Sequence, residues 1–151
     1  MNRDAASLAG RMNDLVDRCR NRGMSVTPQR MAIYRALLEA EDHPSPEILY
    51  HRVRPKMPSL SLATIYKALD ALVDLGLVQE IGVVSETKRY DANLEQHHHL
   101  ICTRCKKIID FYDPGLDAVT PSRRVPGFVP QAISVQVTGL CGDCSKKQPR
   151  R

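Results

Sequence analysis

Apolar side chains recur at helical spacing up to about Gly76, and from Leu77 onward short alternating or β-branched runs take over. Leu8, Met12, Leu15, Val16 and Cys19 fall on one helical stripe, with Gly23 just beyond as a stop signal. Thr27-Pro28 pairs an N-cap with proline at the first helical position. It opens a second helix that carries Met31, Ile33, Tyr34, Leu37 and Leu38 and ends before His43-Pro44. Ser45-Pro46-Glu47 repeats the signal for a short third helix to about Val53. Past the break at Pro55 to Pro58, Ser61 opens a fourth, longer helix whose buried stripe is Ile65, Leu69, Leu72 and Val73 and which Gly76 ends. Leu77 to Ile81 and Lys88 to Asp91 read as strands around the polar loop Gly82 to Thr87.

Three short helices, a longer one and a hairpin make a winged helix-turn-helix, expected to span 1–91 with a hinge at its end. The outer face of the fourth helix shows Ser61, Thr64, Tyr66 and Lys67. One reading places Ser61 to Lys67 in a DNA major groove, with Ala63 allowing close approach, Tyr66 offering ring and hydroxyl, and Arg30 and Lys67 reaching phosphates or base edges. The plainer reading is an ordinary solvated face, since helix-turn-helix arrangements also serve as scaffolds.

The remainder, 92–151, contains strand candidates at His98 to Cys102, Lys107 to Tyr112 and Ala132 to Leu140. In the last, Ile133, Val135 and Val137 alternate with polar residues, so one face is expected to be buried. Gly115 to Arg124 reads as a short helix limited by Pro121, and the basic tail from Lys146 as frayed. The fold class is therefore α+β, a winged helix followed by a small α/β domain. A domain of that size is marginal, and zinc and oligomerisation are the expected remedies.

Net charge is +5, from 22 Lys and Arg against 17 Asp and Glu, which points to a polyanionic partner only where its placement agrees. No apolar run approaches the roughly 18 residues of a membrane span, and the chain opens without a signal peptide, so a reducing cytoplasmic setting without membrane association is expected.

That setting bears on the cysteines. Cys102/Cys105 and Cys141/Cys144 are two Cys-x-x-Cys pairs, each able to aim both sulfurs at one ion, and together they complete the tetrahedral thiolate shell of a closed structural Zn²⁺ site. Two disulfides or a redox dithiol suit an oxidising compartment better. The long stretch between Cys105 and Cys141 requires intervening structure to bring the pairs together, and lone Cys19 is a core residue. His97 and His99 project to one face of a strand while His98 points the other way. Asp110 lies on the next strand and Asp91 at the domain junction. Such nitrogen and oxygen donors suit Fe²⁺, Mn²⁺ or Zn²⁺, although spacing alone equally allows surface histidines and a capping aspartate. No His-x-Glu or His-Glu-x-x-His accompanies them, which argues against a zinc hydrolase or deaminase and for a chain that is not an enzyme.

Together these residues resemble the ferric uptake regulator family, and within it the peroxide-responsive branch. The resemblance is carried by Thr27-Pro28-Gln29-Arg30, His43-Pro44, Ser61-Leu62-Ala63-Thr64-Ile65-Tyr66, Lys88-Arg89-Tyr90-Asp91, His97-His98-His99-Leu100-Ile101-Cys102, Ile109-Asp110-Phe111 and Cys141-Gly142-Asp143-Cys144. It implies an N-terminal winged helix on DNA and a C-terminal dimerisation domain in which Cys102, Cys105, Cys141 and Cys144 hold zinc. It also implies a regulatory Fe²⁺ or Mn²⁺ site of His43, Asp91, His97, His99 and Asp110. Aspartate at 110, where the family's iron regulators usually carry glutamate, selects the peroxide branch. No His follows His99, so an auxiliary site found in many members is not expected, and Lys67 stands where members differ and read different operators.

The expected mechanism is a homodimer on a palindromic operator, closed by metal. Peroxide oxidises His43 or His97, metal affinity falls and DNA is released, while the zinc-bound cysteines stand by. The alternative is an iron- or zinc-responsive metal-uptake repressor of the same family.

Overall fold

The structure, a computed structural model, describes residues 5–84 and 86–147. It divides into two compact units, the first ending at Leu94 and the second beginning at Glu95. The first contains α1 (Ala5–Asn21), α2 (Pro28–Glu39), α3 (Pro46–Val53), α4 (Leu62–Asp74), β1 (Gln79–Val84) and β2 (Thr87–Asp91). Helix α1, with 17 residues, outruns the stripe that predicts it and is longer than the 13-residue α4. Its end explains why. Gly23 takes a left-handed φ of +65°, letting Met24 N–H bond the Cys19 carbonyl at 2.8 Å and Gly23 N–H the Arg20 carbonyl at 3.1 Å, so Arg20 and Asn21 stay helical. Gly76 (φ +70°) ends α4 the same way, through Leu77 N–H to the Leu72 carbonyl at 3.0 Å.

Three polar caps start the other helices. Thr27, Ser45 and Ser61 accept from the backbone N–H of Arg30, Ile48 and Thr64 at 3.1, 3.3 and 3.2 Å. The helices enclose a core of Leu15, Cys19, Ile33, Leu37, Leu49, Ile65, Leu69, Leu72 and Leu77, with the ring of Tyr34 among them. Each such burial stabilises by about 1.5–3 kcal/mol. Val73, expected on the buried stripe of α4, stays partly exposed, as does Val16 on the apolar stripe of α1. Arg11 on α1 donates to the Tyr34 hydroxyl at 3.2 Å and to the Ala92 carbonyl at 2.6 Å, tying the end of the wing to the first helix.

The wing differs from expectation at both ends. Leu77 and Val78 are buried linkers rather than strand residues, because the Leu77 N–H is spent on the end of α4. Antiparallel pairing instead runs from Gln79↔Asp91 to Val84↔Thr87, taking in positions expected to form the loop, with a register shift between Ile81 and Val83.

The second unit holds β3 (His98–Cys102), β4 (Ile108–Phe111), α5 (Pro114–Asp117), β5 (Gln136–Gly139) and α6 (Gly142–Lys146). The strand order is β4-β3-β5, with β4 antiparallel and β5 parallel to β3. Two expectations are corrected. The helix over Gly115 to Arg124 is one turn, since Pro121 supplies no N–H and keeps the residue before it out of helical geometry. The strand over Ala132 to Leu140 shrinks to four residues, all exposed, with Val137 at 44%. As an edge strand, β5 has its apolar alternation but no layer of its own chain over it among the described residues. The basic tail beyond Lys147 lies outside the described residues, and no described helix is long and apolar enough to cross a membrane.

Leu69→Ala is expected to destabilise the first unit by about 2–5 kcal/mol in chemical denaturation followed by circular dichroism. Lys67→Ala, on the exposed face of the same helix, is expected to stay within about 0.5 kcal/mol of the parent.

Candidate functional site

Strand β3 ends at Cys102, and the turn that follows brings Cys105 back beside it. Lys106, at a left-handed φ of +63°, closes that turn through its N–H on the Cys102 carbonyl at 3.0 Å. The parallel register pairs Cys102 with Gly139, so the long intervening segment returns the chain with Cys141 next to Cys102, and α6 then presents Cys144. All four sulfurs lie within 4.8 Å of one another. Cys105 and Cys141 Sγ are 3.7 Å apart, close to the edge of about 3.8 Å for thiolates held at about 2.3 Å around zinc. A disulfide needs about 2.05 Å. The Cys141 N–H, 3.4 Å from Cys102 Sγ, is the first cause of the Cys102 thiol falling to about 6, followed by the Cys105 N–H. Burial, then the neighbouring sulfurs, push Cys144 up to about 12. Four negative sulfurs repel one another at this range, and a dication removes that penalty.

On β3 the alternation of faces separates three adjacent histidines. His99 stands directly opposite Asp110 in the antiparallel register, and His97 shares its face. His97 Nε2 lies 3.1 Å from His99 Nε2, and Asp110 Oδ1 lies 3.5 Å from each. Donor atoms about 2.1 Å from an ion and at right angles stand about 3.0 Å apart, so the two imidazoles fit a shared ion. The Glu95 carbonyl, 2.6 Å from His97 Nδ1, accepts that nitrogen's proton and leaves Nε2 as the ligating lone pair. His98 points the other way: its Nε2 donates to Asp117 Oδ1 at 2.9 Å and its Nδ1 accepts from Val135 N–H at 3.4 Å. It fastens α5 and the approach to β5 onto the back of β3.

The first unit has a donor pair of its own. His43 Nε2 lies 3.4 Å from Asp91 Oδ2, both side chains 3% exposed, and Asp91 Oδ1 accepts from Asn93 N–H at 2.8 Å. Imidazole and carboxylate here are the same hard and intermediate donors as in the second unit, suited to Fe²⁺, Mn²⁺ or Zn²⁺.

The start of α4 presents Ser61, Ala63, Tyr66 and Lys67 to solvent, with Thr64 half-buried. Ser61 and Thr64 hydroxyls lie 2.9 Å apart. Tyr66 donates from its hydroxyl to Glu47 Oε1 on α3 at 2.7 Å, which joins the two helices of the helix-turn-helix. That bond lowers the Glu47 carboxyl and raises the Tyr66 phenol. Arg30 sits on α2, its guanidinium bonded to the Ser25 carbonyl and its Nε without a hydrogen-bond partner among the described residues.

Glu47, Asp117 and Arg89 carry contacts that sequence reasoning did not assign. Glu47 is visible in sequence only as a first-turn acid of α3, and Asp117 only as one more polar residue after a turn. Arg89 falls within a family motif, but its partner, the His43 carbonyl, is a backbone atom that no side-chain pattern reveals.

A winged helix joined to a small sheet unit with a four-cysteine cluster and His/Asp donor groups defines a metal-binding helix-turn-helix protein. Residues 21–138 match the ferric uptake regulator family, and the chain belongs to it. The peroxide-responsive repressor PerR of Staphylococcus saprophyticus is 34% identical over 148 residues, 97% of this chain and 100% of that protein. The Campylobacter jejuni peroxide stress regulator shares 33% identity, with a TM-score of 0.61, across 78% of this chain and 89% of its own. The Helicobacter pylori ferric uptake regulator Fur superposes with a TM-score of 0.78 over 95% of this chain and 96% of its own; at 22% identity that likeness is one of fold.

Tyr66→Phe removes the donor to Glu47, and the Glu47 carboxyl is expected to titrate closer to its ordinary value by NMR. In the parent the folded pKa lies below the unfolded one. The bond's contribution to stability is therefore complete above the unfolded pKa and is lost as pH falls through the folded pKa, and the variant should lose that acid-range dependence.

Proposed function

We propose that this chain is a metal-dependent repressor that binds operator DNA as a homodimer and senses hydrogen peroxide. The observation that carries the reading is the sorting of donors: four thiols gather in one cluster, while each unit keeps its own imidazole–carboxylate group, His43 with Asp91 in the first and His97, His99 with Asp110 in the second. Cys102, Cys105, Cys141 and Cys144 hold a structural Zn²⁺. His43 and Asp91 from the first unit, with His97, His99 and Asp110 from the second, hold one regulatory Fe²⁺ or Mn²⁺. Peroxide as the signal is supported by the names of the relatives that share about a third of this sequence.

The exposed start of α4, with Ser61, Ala63, Thr64, Tyr66 and Lys67, reads the major groove, and Arg30 contacts the backbone. Two copies set about 34 Å apart read the half-sites of a palindrome. A second copy also gives cover to Val137 and to the exposed Val125, Phe128 and Val129. Moving the dimer from a mostly open to a mostly closed population takes about 5.5 kcal/mol of differential binding, which a donor set divided between the units supplies. Fe²⁺ held by these residues would supply an electron to hydrogen peroxide, being oxidised to Fe³⁺, a reaction that Mn²⁺ would not run readily. Oxidation of His43 or His97 removes a donor nitrogen from the set, and the hold on the operator goes with it.

Operator binding by the zinc-loaded protein, measured without oxygen, is expected to be lost by the Fe²⁺ form after a small excess of peroxide and kept by the Mn²⁺ form. Peptide mass spectrometry should then show one added oxygen on His43 or His97. Equal survival of both forms would instead assign the chain to metal-uptake repression by metal occupancy. Cys105→Ser should lose the bound zinc and the cooperative melting of the second unit, while circular dichroism still reports the helices of the first.

A further inference from the structure

His43 is one of three residues other than glycine with positive φ among the described residues, at +51°, and it precedes Pro44. An L-residue in the left-handed region is disfavoured, and a following proline narrows its choices further. Such a conformation persists only where its surroundings impose it.

Three contacts fix this loop. Arg89 Nε donates to the His43 carbonyl at 2.8 Å, Tyr90 N–H donates to the Pro44 carbonyl at 3.3 Å, and Arg52 grips Asp42 through both guanidinium nitrogens, one at 2.8 Å. Arg89 stands two residues before Asp91 on β2, so one face of one strand delivers both the contact to the His43 backbone and the carboxylate that faces the His43 ring. The contact uses the directional Nε–H of a planar guanidinium, which an ammonium does not reproduce.

We propose that Arg89 is a positioning residue for the regulatory metal: by bonding the His43 carbonyl it holds the His43 backbone in the left-handed conformation that presents the imidazole to Asp91. This rests on the reading of His43 and Asp91 as ligands. With the loop held beforehand, metal binding does not have to order it, and affinity rises by that amount.

The test is Mn²⁺ binding to the full-length, zinc-loaded protein, followed by the electron paramagnetic resonance of free Mn²⁺, in the parent, Arg89→Ala, Arg89→Lys, His43→Ala and the Arg89→Ala/His43→Ala double variant. Arg89→Ala should weaken Mn²⁺ by about 10–100-fold, as loss of a partner that orients a ligand does. Arg89→Lys should fall between it and the parent. In the His43→Ala background, Arg89→Ala should add no further loss, because its route to the metal is gone; a general loss of structure would add its full factor there. Parent-like affinity in Arg89→Ala overturns the proposal, as does the same fold-loss with and without His43. Should Arg89→Ala not fold, parent-like affinity in Arg89→Lys overturns the need for the guanidinium contact. Parent-like affinity in His43→Ala is a different failure, one that removes His43 from the ligand set and takes the underlying reading with it.

Discussion

The register of β3 is the constraint on which the second unit depends. One face of the strand carries His99 against Asp110, the other carries His98 against Asp117, and its end places Cys102 beside Cys141 through the pairing with Gly139. A slip of one residue would exchange the faces, turning His98 toward Asp110 and His99 toward Asp117. Apolar packing does little to prevent that slip. Ile101 and Ile108 are the buried aliphatics of this unit among the described residues, next to Cys102, Cys144 and the three histidines. Polar pairs and sulfurs therefore do the work usually done by a hydrophobic core, and they do it only when each has its partner. A small unit with so little apolar surface to bury is expected to couple its folding to metal.

The first unit is built on the opposite principle. Its core is continuous, three of its helices start on polar caps and two end at left-handed glycines, and α1 is tied to the end of the wing through Arg11. Rigidity there means that a side chain fixed to its scaffold stays fixed. The Tyr66 hydroxyl is held by Glu47, and the His43 loop is held from β2 and α3. A stiff first unit followed by one whose own stability is conditional is a suitable division for a switch, since a signal acting on the conditional part leaves the capped helices of the other intact.

What could be read from the sequence follows the range of each interaction. The caps at Thr27, Ser45 and Ser61 and the glycine stops at Gly23 and Gly76 act within a single turn, and pattern alone located them. The two Cys-x-x-Cys pairs were legible as one cluster because each spacing aims two sulfurs at one ion and two such pairs fill a tetrahedral shell, and the structure gathers all four. Burial of β5 was misjudged because alternation says which residues share a face and nothing about what covers it. The first wing strand starts two residues later than the apolar run suggests because Leu77 has its N–H committed to a helix end, and pairing reaches further toward the tip than the polar residues there suggest. Glu47, Arg89 and Asp117 escaped notice because each acts on an atom far away in sequence, and for Arg89 that atom belongs to the backbone.

A shared ion shifts an equilibrium between open and closed forms only through donors that it gains on closing. On the proposed ligand set the second unit offers three donors and the first offers two, so the closing increment is what His43 and Asp91 add. Loss of His97 leaves that increment intact while lowering affinity in both forms. Loss of His43 halves the donors contributed by the DNA-binding unit and strikes the increment itself. The two histidines are thus unequal as sites of damage: oxidation at His97 empties the site at limiting metal, whereas oxidation at His43 uncouples metal from closure even where the ion remains bound.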